Sequence, residues 1–137
     1  MSERKLRGVV AALAATGVAI AGYLTYARYT HTALACTTGG CETVQQSEYA
    51  KLAGVPVAVL GLASYLFILC TAFTTAELAR LVAAVVAVAG VAFSAYLLYV
   101  QIAVIDAICQ WCLASDSVMT LLAGACVLRV VSAARRV

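Results

Sequence analysis

The sequence predicts an all-α integral membrane protein in which four transmembrane helices form one antiparallel bundle. Of its 137 residues, 65% are hydrophobic and only 11% are charged, whereas a soluble domain has about 25% charged residues. Four long apolar stretches are separated by polar connections, of which only the first is long, and about 20 apolar residues cross a bilayer as a helix. Short connections favour antiparallel neighbours. The basic residues are few and mostly terminal, so the net charge of +3 does not indicate nucleic-acid binding.

The first predicted span, residues 8–27, follows a basic start that contains Arg4, Lys5 and Arg7. A cleaved signal peptide is the alternative interpretation, because basic residues before an apolar stretch are typical of both. The apolar run is long for a signal peptide, and no clean small-x-small cleavage site precedes the polar segment that follows. A transmembrane helix is therefore the prediction.

Residues 28–54 form the only long polar segment and carry Cys36 and Cys41. The Gly39-Gly40 pair between these cysteines is typical of a tight turn. After the second cysteine, Glu42–Leu52 is predicted as a short helix lying at the membrane interface.

The remaining spans are predicted at residues 55–73, 81–105 and 107–131. Pro56 suits the first turn of the second span. Asp106 interrupts the apolar sequence and is predicted to cap the fourth helix. The whole chain, residues 1–137, is predicted to be one domain.

With four spans, the first and third connections lie on the same side of the membrane, so both cysteine pairs face one compartment. Two basic residues, Arg28 and Lys51, fall on that side, and seven fall on the other: Arg4, Lys5, Arg7, Arg80, Arg129, Arg135 and Arg136. Basic residues are enriched on the cytoplasmic side. This bias predicts a multi-pass protein of the inner (plasma) membrane with cytoplasmic termini and extracytoplasmic cysteines.

The second pair, Cys109 and Cys112, has the Cys-x-x-Cys spacing. Residues three apart share a helix face, so these sulfurs can interconvert between dithiol and disulfide. The positive end of a helix dipole favours a thiolate, which makes Cys109 the predicted exchange-active sulfur. Two static disulfides are one alternative, and a zinc site is another. We predict no metal, because an oxidising compartment favours disulfides.

Asp116 lies four residues after Cys112, on the same helix face. A carboxylate inside a span is a functional-site candidate; the alternative is that it lies shallow enough to be hydrated. Cys70 and Cys126 also lie inside spans, where cysteine commonly serves as a small buried hydrophobe.

The chain resembles the bacterial homologues of vitamin K epoxide reductase over nearly its whole length. The resemblance lies in the loop cysteines Cys36 and Cys41, in Ser47 six residues after the second one, in the Gly54-Val-Pro56 start of the second span, and in the late Cys109-Gln-Trp-Cys112. It implies a four-helix bundle around a quinone. In this family Cys112 would face the quinone, Cys109 would exchange with Cys41, and Cys36 would meet a thioredoxin-like partner. Ser47 would lie beside the quinone or support the loop.

Two positions depart from the animal members of that family. Val57 stands where they carry an asparagine, and Asp116 stands where they carry a tyrosine. Those side chains are implied to hydrogen-bond the vitamin K head group, so their absence favours plain quinone reduction over epoxide reduction. Many bacterial members also carry a fused thioredoxin-like domain. This chain stops after the fourth span, so its partner is expected to be a separate periplasmic protein.

The predicted function is therefore a membrane thiol–disulfide oxidoreductase that supports disulfide formation in exported proteins. A small four-helix transporter, with Asp116 as its coupling carboxylate, is the alternative from another class. A disulfide-stapled scaffold subunit is a third interpretation.

Overall fold

The computed structural model describes residues 2–30, 51–52 and 54–135. Within these residues there are four α-helices, which confirms the predicted helical membrane bundle: α1 (Glu3–Thr30), α2 (Val57–Thr71), α3 (Glu77–Tyr99) and α4 (Gln110–Arg135). A π-helical segment, Val100–Ile105, continues α3. Two short antiparallel strands, β1 (Lys51–Leu52) and β2 (Val55–Pro56), precede α2.

Three of the described helices are long and apolar enough to cross a membrane: α1, α3 together with the π-helical segment, and α4. The fourth, α2, has 15 residues and so measures about 22 Å, which is shorter than a bilayer core of about 30 Å. The span predicted at residues 55–73 is thus helical only in its middle. Its first two residues belong to β2, and Ala72 and Phe73 form a turn.

The hairpin also corrects the end of the predicted interfacial helix. Lys51 and Leu52, the last two residues of the predicted helix, instead form β1 and pair with Pro56 and Val55. Gly54 stands in the turn with φ of +83°, a left-handed conformation that glycine adopts without steric cost. The earlier residues of that predicted helix lie outside the described part of the chain.

Each helix packs against two others: α1 contacts α2 and α4, and α3 contacts α2 and α4. The bundle is therefore a ring that closes between its first and last helices. Its buried interior is rich in alanine, including Ala14, Ala21, Ala83, Ala87, Ala123 and Ala125. Small residues allow helix backbones to approach closely, which is how helices associate in lipid.

Arg129, which interrupts the fourth apolar stretch, is 1% exposed. Its guanidinium donates to Glu3 Oε1 from Nε (3.2 Å) and Nη2 (2.9 Å). It also donates to the carbonyl oxygens of Thr71 at 3.3 Å and Thr74 at 3.1 Å. The last carbonyls of a helix lack intrahelical partners and carry partial negative charge. Arg129 thus joins the start of α1, the end of α2 and the body of α4.

Two further arginines lie at the same end of the bundle. Arg7 donates from Nε to the carbonyl oxygen of Ala72 at 2.7 Å, and Arg80 lies 3.8 Å from the Glu3 carboxylate. Since α4 runs from Cys109 towards Arg129, this charged end lies opposite the Cys-x-x-Cys pair.

The predicted role of Asp106 as the cap of the fourth helix is wrong, because α4 begins later, at Gln110. Asp106 instead ends the π-helical segment, with φ of 56° and ψ of 40°. Its short polar side chain makes this left-handed backbone tolerable. Just beyond it, the amide of Ala107 donates to the carbonyl oxygen of Gln101 at 3.1 Å. The chain turns sharply here and leads into Cys109.

Candidate functional site

Cys109 is the residue that caps the N-terminus of α4. Its carbonyl oxygen accepts the first helical hydrogen bond, from the amide of Leu113 at 3.0 Å. Its Sγ accepts a hydrogen bond from the amide of Cys112 at 3.3 Å, in the position that a serine or aspartate oxygen usually fills. The amide and the positive end of the helix dipole both point at this sulfur, an arrangement that stabilises negative charge on it.

Cys109 is fully buried at this end of the bundle. Ile105, Ala107, Trp111 and Cys112 pack around it. The Trp111 ring meets the Tyr23 ring of α1 edge-on, with centroids 5.0 Å apart. The middle of the Cys-x-x-Cys sequence is thus packed against a neighbouring helix, which holds the sulfurs in a defined position.

Gln101 holds the backbone just before α4. Its side-chain Oε1 accepts a hydrogen bond from the amide of Cys109 at 2.9 Å, and the whole residue is 2% exposed. The π-helical segment places Gln101 eight positions before Cys109, in a geometry that no simple helical spacing predicts.

A cavity of about 180 Å³ lies inside the bundle. Of the four cysteines in the described part of the chain, Cys112 alone lines it. Most of the other lining groups are apolar or small, including Leu24, Val57, Ala58, Leu60, Gly61, Phe93, Leu97, Ile105 and Met119. An apolar cavity of about 150 Å³ accommodates benzene, so this one matches a single aromatic ring in size.

Asp116 brings a carboxyl group to the same cavity wall. The hydroxyl group of Ser94, on α3, forms a hydrogen bond with this carboxyl group. Its other oxygen, Oδ2, is buried and has no hydrogen-bond partner among the described residues. Buried polar atoms are nearly always satisfied, and this oxygen is free to accept or donate a hydrogen bond at the cavity wall.

Tyr65 crosses the bundle beside the cavity. Its hydroxyl donates to the carbonyl oxygen of Ser115 at 2.8 Å and lies 2.9 Å from the Ser115 Oγ. This contact joins α2 to α4 across the bundle interior. Both residues line the cavity, so their hydroxyls, together with Ser94 and Asp116, give an otherwise apolar chamber a polar side.

The structure brings together three of the residues singled out in the sequence, Cys109, Cys112 and Asp116. Cys36, Cys41 and Ser47 lie outside the described residues. Of the two cysteines predicted to pack inside spans, Cys126 is buried but Cys70 is exposed, because its position on α2 faces away from the other helices.

Sequence reasoning missed Gln101, Tyr65, Ser94 and Ser115. Only Gln101 gave a signal in the sequence. A glutamine within a long apolar stretch costs free energy to bury unless it has hydrogen-bond partners, so its presence there indicates such partners. Serine and tyrosine carry no such signal, because both occur throughout transmembrane helices.

Comparison with known protein families gives a match over most of the chain. A model described as the Vitamin K epoxide reductase family matches residues 8–127, which include all four helices apart from the start of α1 and the end of α4. The match covers both cysteine pairs and the residues that line the cavity. The chain therefore belongs to the vitamin K epoxide reductase family, a family of membrane redox enzymes.

Proposed function

We propose that this protein is a quinone-dependent thiol oxidoreductase that supports disulfide formation in exported proteins. Electrons enter from a separate thioredoxin-like protein at Cys36 and Cys41, pass to Cys109 and Cys112, and leave to a quinone. The observation that carries the proposal is that the two cysteines of the Cys-x-x-Cys pair have different surroundings. Cys109 caps α4, and Cys112 lines the cavity.

The cavity residues fit the head group of a quinone. The chamber has the volume of one aromatic ring, its walls are mostly apolar, and Asp116 and the hydroxyls of Ser94, Tyr65 and Ser115 lie on its surface. An uncharged ring with carbonyl groups matches both properties. Val57, which replaces the asparagine of the animal members, adds an apolar surface, which favours plain quinone reduction over epoxide reduction.

The thiol steps follow ordinary disulfide exchange. A partner thiolate attacks the Cys36–Cys41 disulfide, and the second partner thiol resolves the mixed disulfide, which leaves Cys36 and Cys41 reduced. The Cys41 thiolate then attacks Cys109, and Cys112 leaves as a thiolate at the cavity wall. Cys36 or Cys112 can resolve the Cys41–Cys109 bond, and resolution by Cys36 completes the transfer to the second pair.

A bound quinone supplies the acceptor for two electrons and two protons. Cys109 and Cys112 lose these electrons as their disulfide re-forms. In this proposal Asp116 holds a proton at its buried Oδ2 and delivers it within the cavity, while Ser47 lies beside the head group or supports the cysteine loop.

The catalytic proposal is tested with purified protein, dithiothreitol and a short-chain ubiquinone, with quinol formation followed by absorbance. We expect turnover in the wild type, none in Cys112→Ala, and normal turnover in Cys70→Ala, whose sulfur lies outside the site. A wild type that reduces no quinone would overturn the proposal and favour a transporter.

We also propose that the cysteines face the extracytoplasmic side of the plasma membrane. Arg7, Arg80 and Arg129 gather at the end of the bundle opposite Cys109, and cytoplasmic ends of membrane proteins are rich in basic residues. After mild reduction, membrane-impermeant maleimide should label Cys36 and Cys41 in intact cells. Labelling that requires opened cells would reverse the assigned orientation.

A further inference from the structure

Gln101 occupies the boundary between the thiol pair and the cavity. Three residues of the π-helical segment, Val100, Gln101 and Ile105, line the cavity wall. The same segment ends at Asp106, three residues before Cys109. Short π-helical turns occur frequently at functional sites, and this one places a single polar side chain in contact with both the cavity and Cys109.

The two ends of the Gln101 carboxamide have different surroundings. Oε1 accepts the hydrogen bond from the Cys109 amide at 2.9 Å. The amide nitrogen carries two donors, and the structure gives it no hydrogen-bond partner among the described residues. Because the residue is 2% exposed and lines the cavity, the space available to these donors is the cavity.

We propose that Gln101 contacts the quinone: its amide nitrogen donates a hydrogen bond to a carbonyl oxygen of the head group, while its oxygen positions Cys109. This inference rests on the proposed function and adds a specificity-determining residue to it. The cavity would then offer a carboxamide donor on the π-helical segment and a carboxyl group, Asp116, on α4. Both carbonyl oxygens of a quinone could thus be recognised by this chain.

Two substitutions separate the two ends of the carboxamide. Gln101→Met keeps the length of the side chain and removes both the acceptor for the Cys109 amide and the donor for the quinone. Gln101→Glu keeps an oxygen for the Cys109 amide and, when ionised, has no donor for the quinone. Ile102→Met is the matched control, because Ile102 is the adjacent residue and is 59% exposed.

Quinone affinity is measured without turnover, from quenching of Trp111, the only tryptophan, by a short-chain ubiquinone at pH 8.5. We expect the Kd to rise about five- to tenfold in both Gln101 variants, because each loses one neutral hydrogen bond to the quinone. Infrared spectra of the bound quinone should show one carbonyl stretch at higher frequency than in the wild type. Without quinone, reduction of the Cys109–Cys112 disulfide by dithiothreitol should slow in Gln101→Met and stay near the wild-type rate in Gln101→Glu.

Wild-type affinity in Gln101→Met would overturn the inference, and so would an unchanged carbonyl spectrum. Either result leaves the proposed function standing, because the wild type still binds quinone. A wild type that binds no quinone would overturn the proposed function and this inference together.

Discussion

The ring of Tyr65 lies directly against the backbone of Gly17, so closely that a Cβ atom at Gly17 would overlap the ring. Gly17 on α1 and Tyr65 on α2 are both buried. The same tyrosine reaches Ser115 on α4 with its hydroxyl. The absence of a side chain at Gly17 therefore allows Tyr65 to cross the bundle and border the cavity.

Gly17→Ala should destabilise the protein, since the new methyl group displaces the Tyr65 ring. We expect a loss of about 1–3 kcal/mol, as for overpacking of a tight core, measured by thermal unfolding in detergent. Gly22→Ala is the matched control on the same helix, because nothing lies within 4 Å of a Cβ there. Equal stability of the two variants would contradict the close packing of Tyr65 on α1.

Arg129→Lys should also destabilise the bundle. A lysine ammonium lacks the planar arrangement of donors that reaches Glu3, Thr71 and Thr74 together, so it leaves buried carbonyls unsatisfied. We expect a loss of about 2 kcal/mol or more in the same unfolding experiment. Arg135→Lys, at the exposed end of α4, should have no effect; a melting temperature unchanged by Arg129→Lys would show that charge alone suffices at this position.

Asp116→Asn should slow quinone reduction by about a hundredfold, which is the lower end of the rate loss expected when a proton-transferring group is removed. Disulfide exchange between the two cysteine pairs should continue, because the sulfurs keep their positions. Stopped-flow measurement of each half-reaction checks both expectations. Asp106→Asn provides the control, since Asp106 is exposed and asparagine tolerates its left-handed backbone. Normal quinone reduction in Asp116→Asn would leave Asp116 with a structural role only.

Cys36→Ala should accumulate a disulfide between Cys41 and Cys109. In the wild type Cys36 attacks Cys41, re-forms the Cys36–Cys41 disulfide and releases the Cys109 thiolate, which completes the transfer. In the variant only Cys112 can break the bond, and its attack on Cys109 merely restores the Cys109–Cys112 disulfide. Proteolysis without reductant, followed by mass spectrometry, should identify the linked peptides, and Cys41→Ala should lack them. A bond from Cys41 to Cys112 would instead show that Cys112 is the exchanging sulfur. If no such bond forms and partner-driven turnover survives in both variants, the loop cysteines are structural.

The helical membrane bundle was predictable from sequence because apolar length is a local property. The spans predicted at residues 8–27 and 81–105 lie within α1 and within α3 with its π-helical continuation. Boundaries were less predictable. The polar residue Asp106 suits a helix cap by its sequence, but the π-helical segment ends there, where the Ala107 amide donates to the Gln101 carbonyl oxygen, and α4 begins only at Gln110.

Composition and spacing within one helix were enough to predict the membrane class, the Cys-x-x-Cys pair and the shared face of Cys112 and Asp116. The groups that surround that pair follow instead from the packing of distant parts of the chain. Gln101 meets Cys109 through an irregular turn, Tyr65 meets Ser115 across 50 residues, and Arg129 meets Glu3 across 126. Such contacts depend on how helices rotate and pack against one another, and many rotations satisfy the same apolar pattern. These particular contacts fix one rotation of each helix, and the cavity forms in that arrangement.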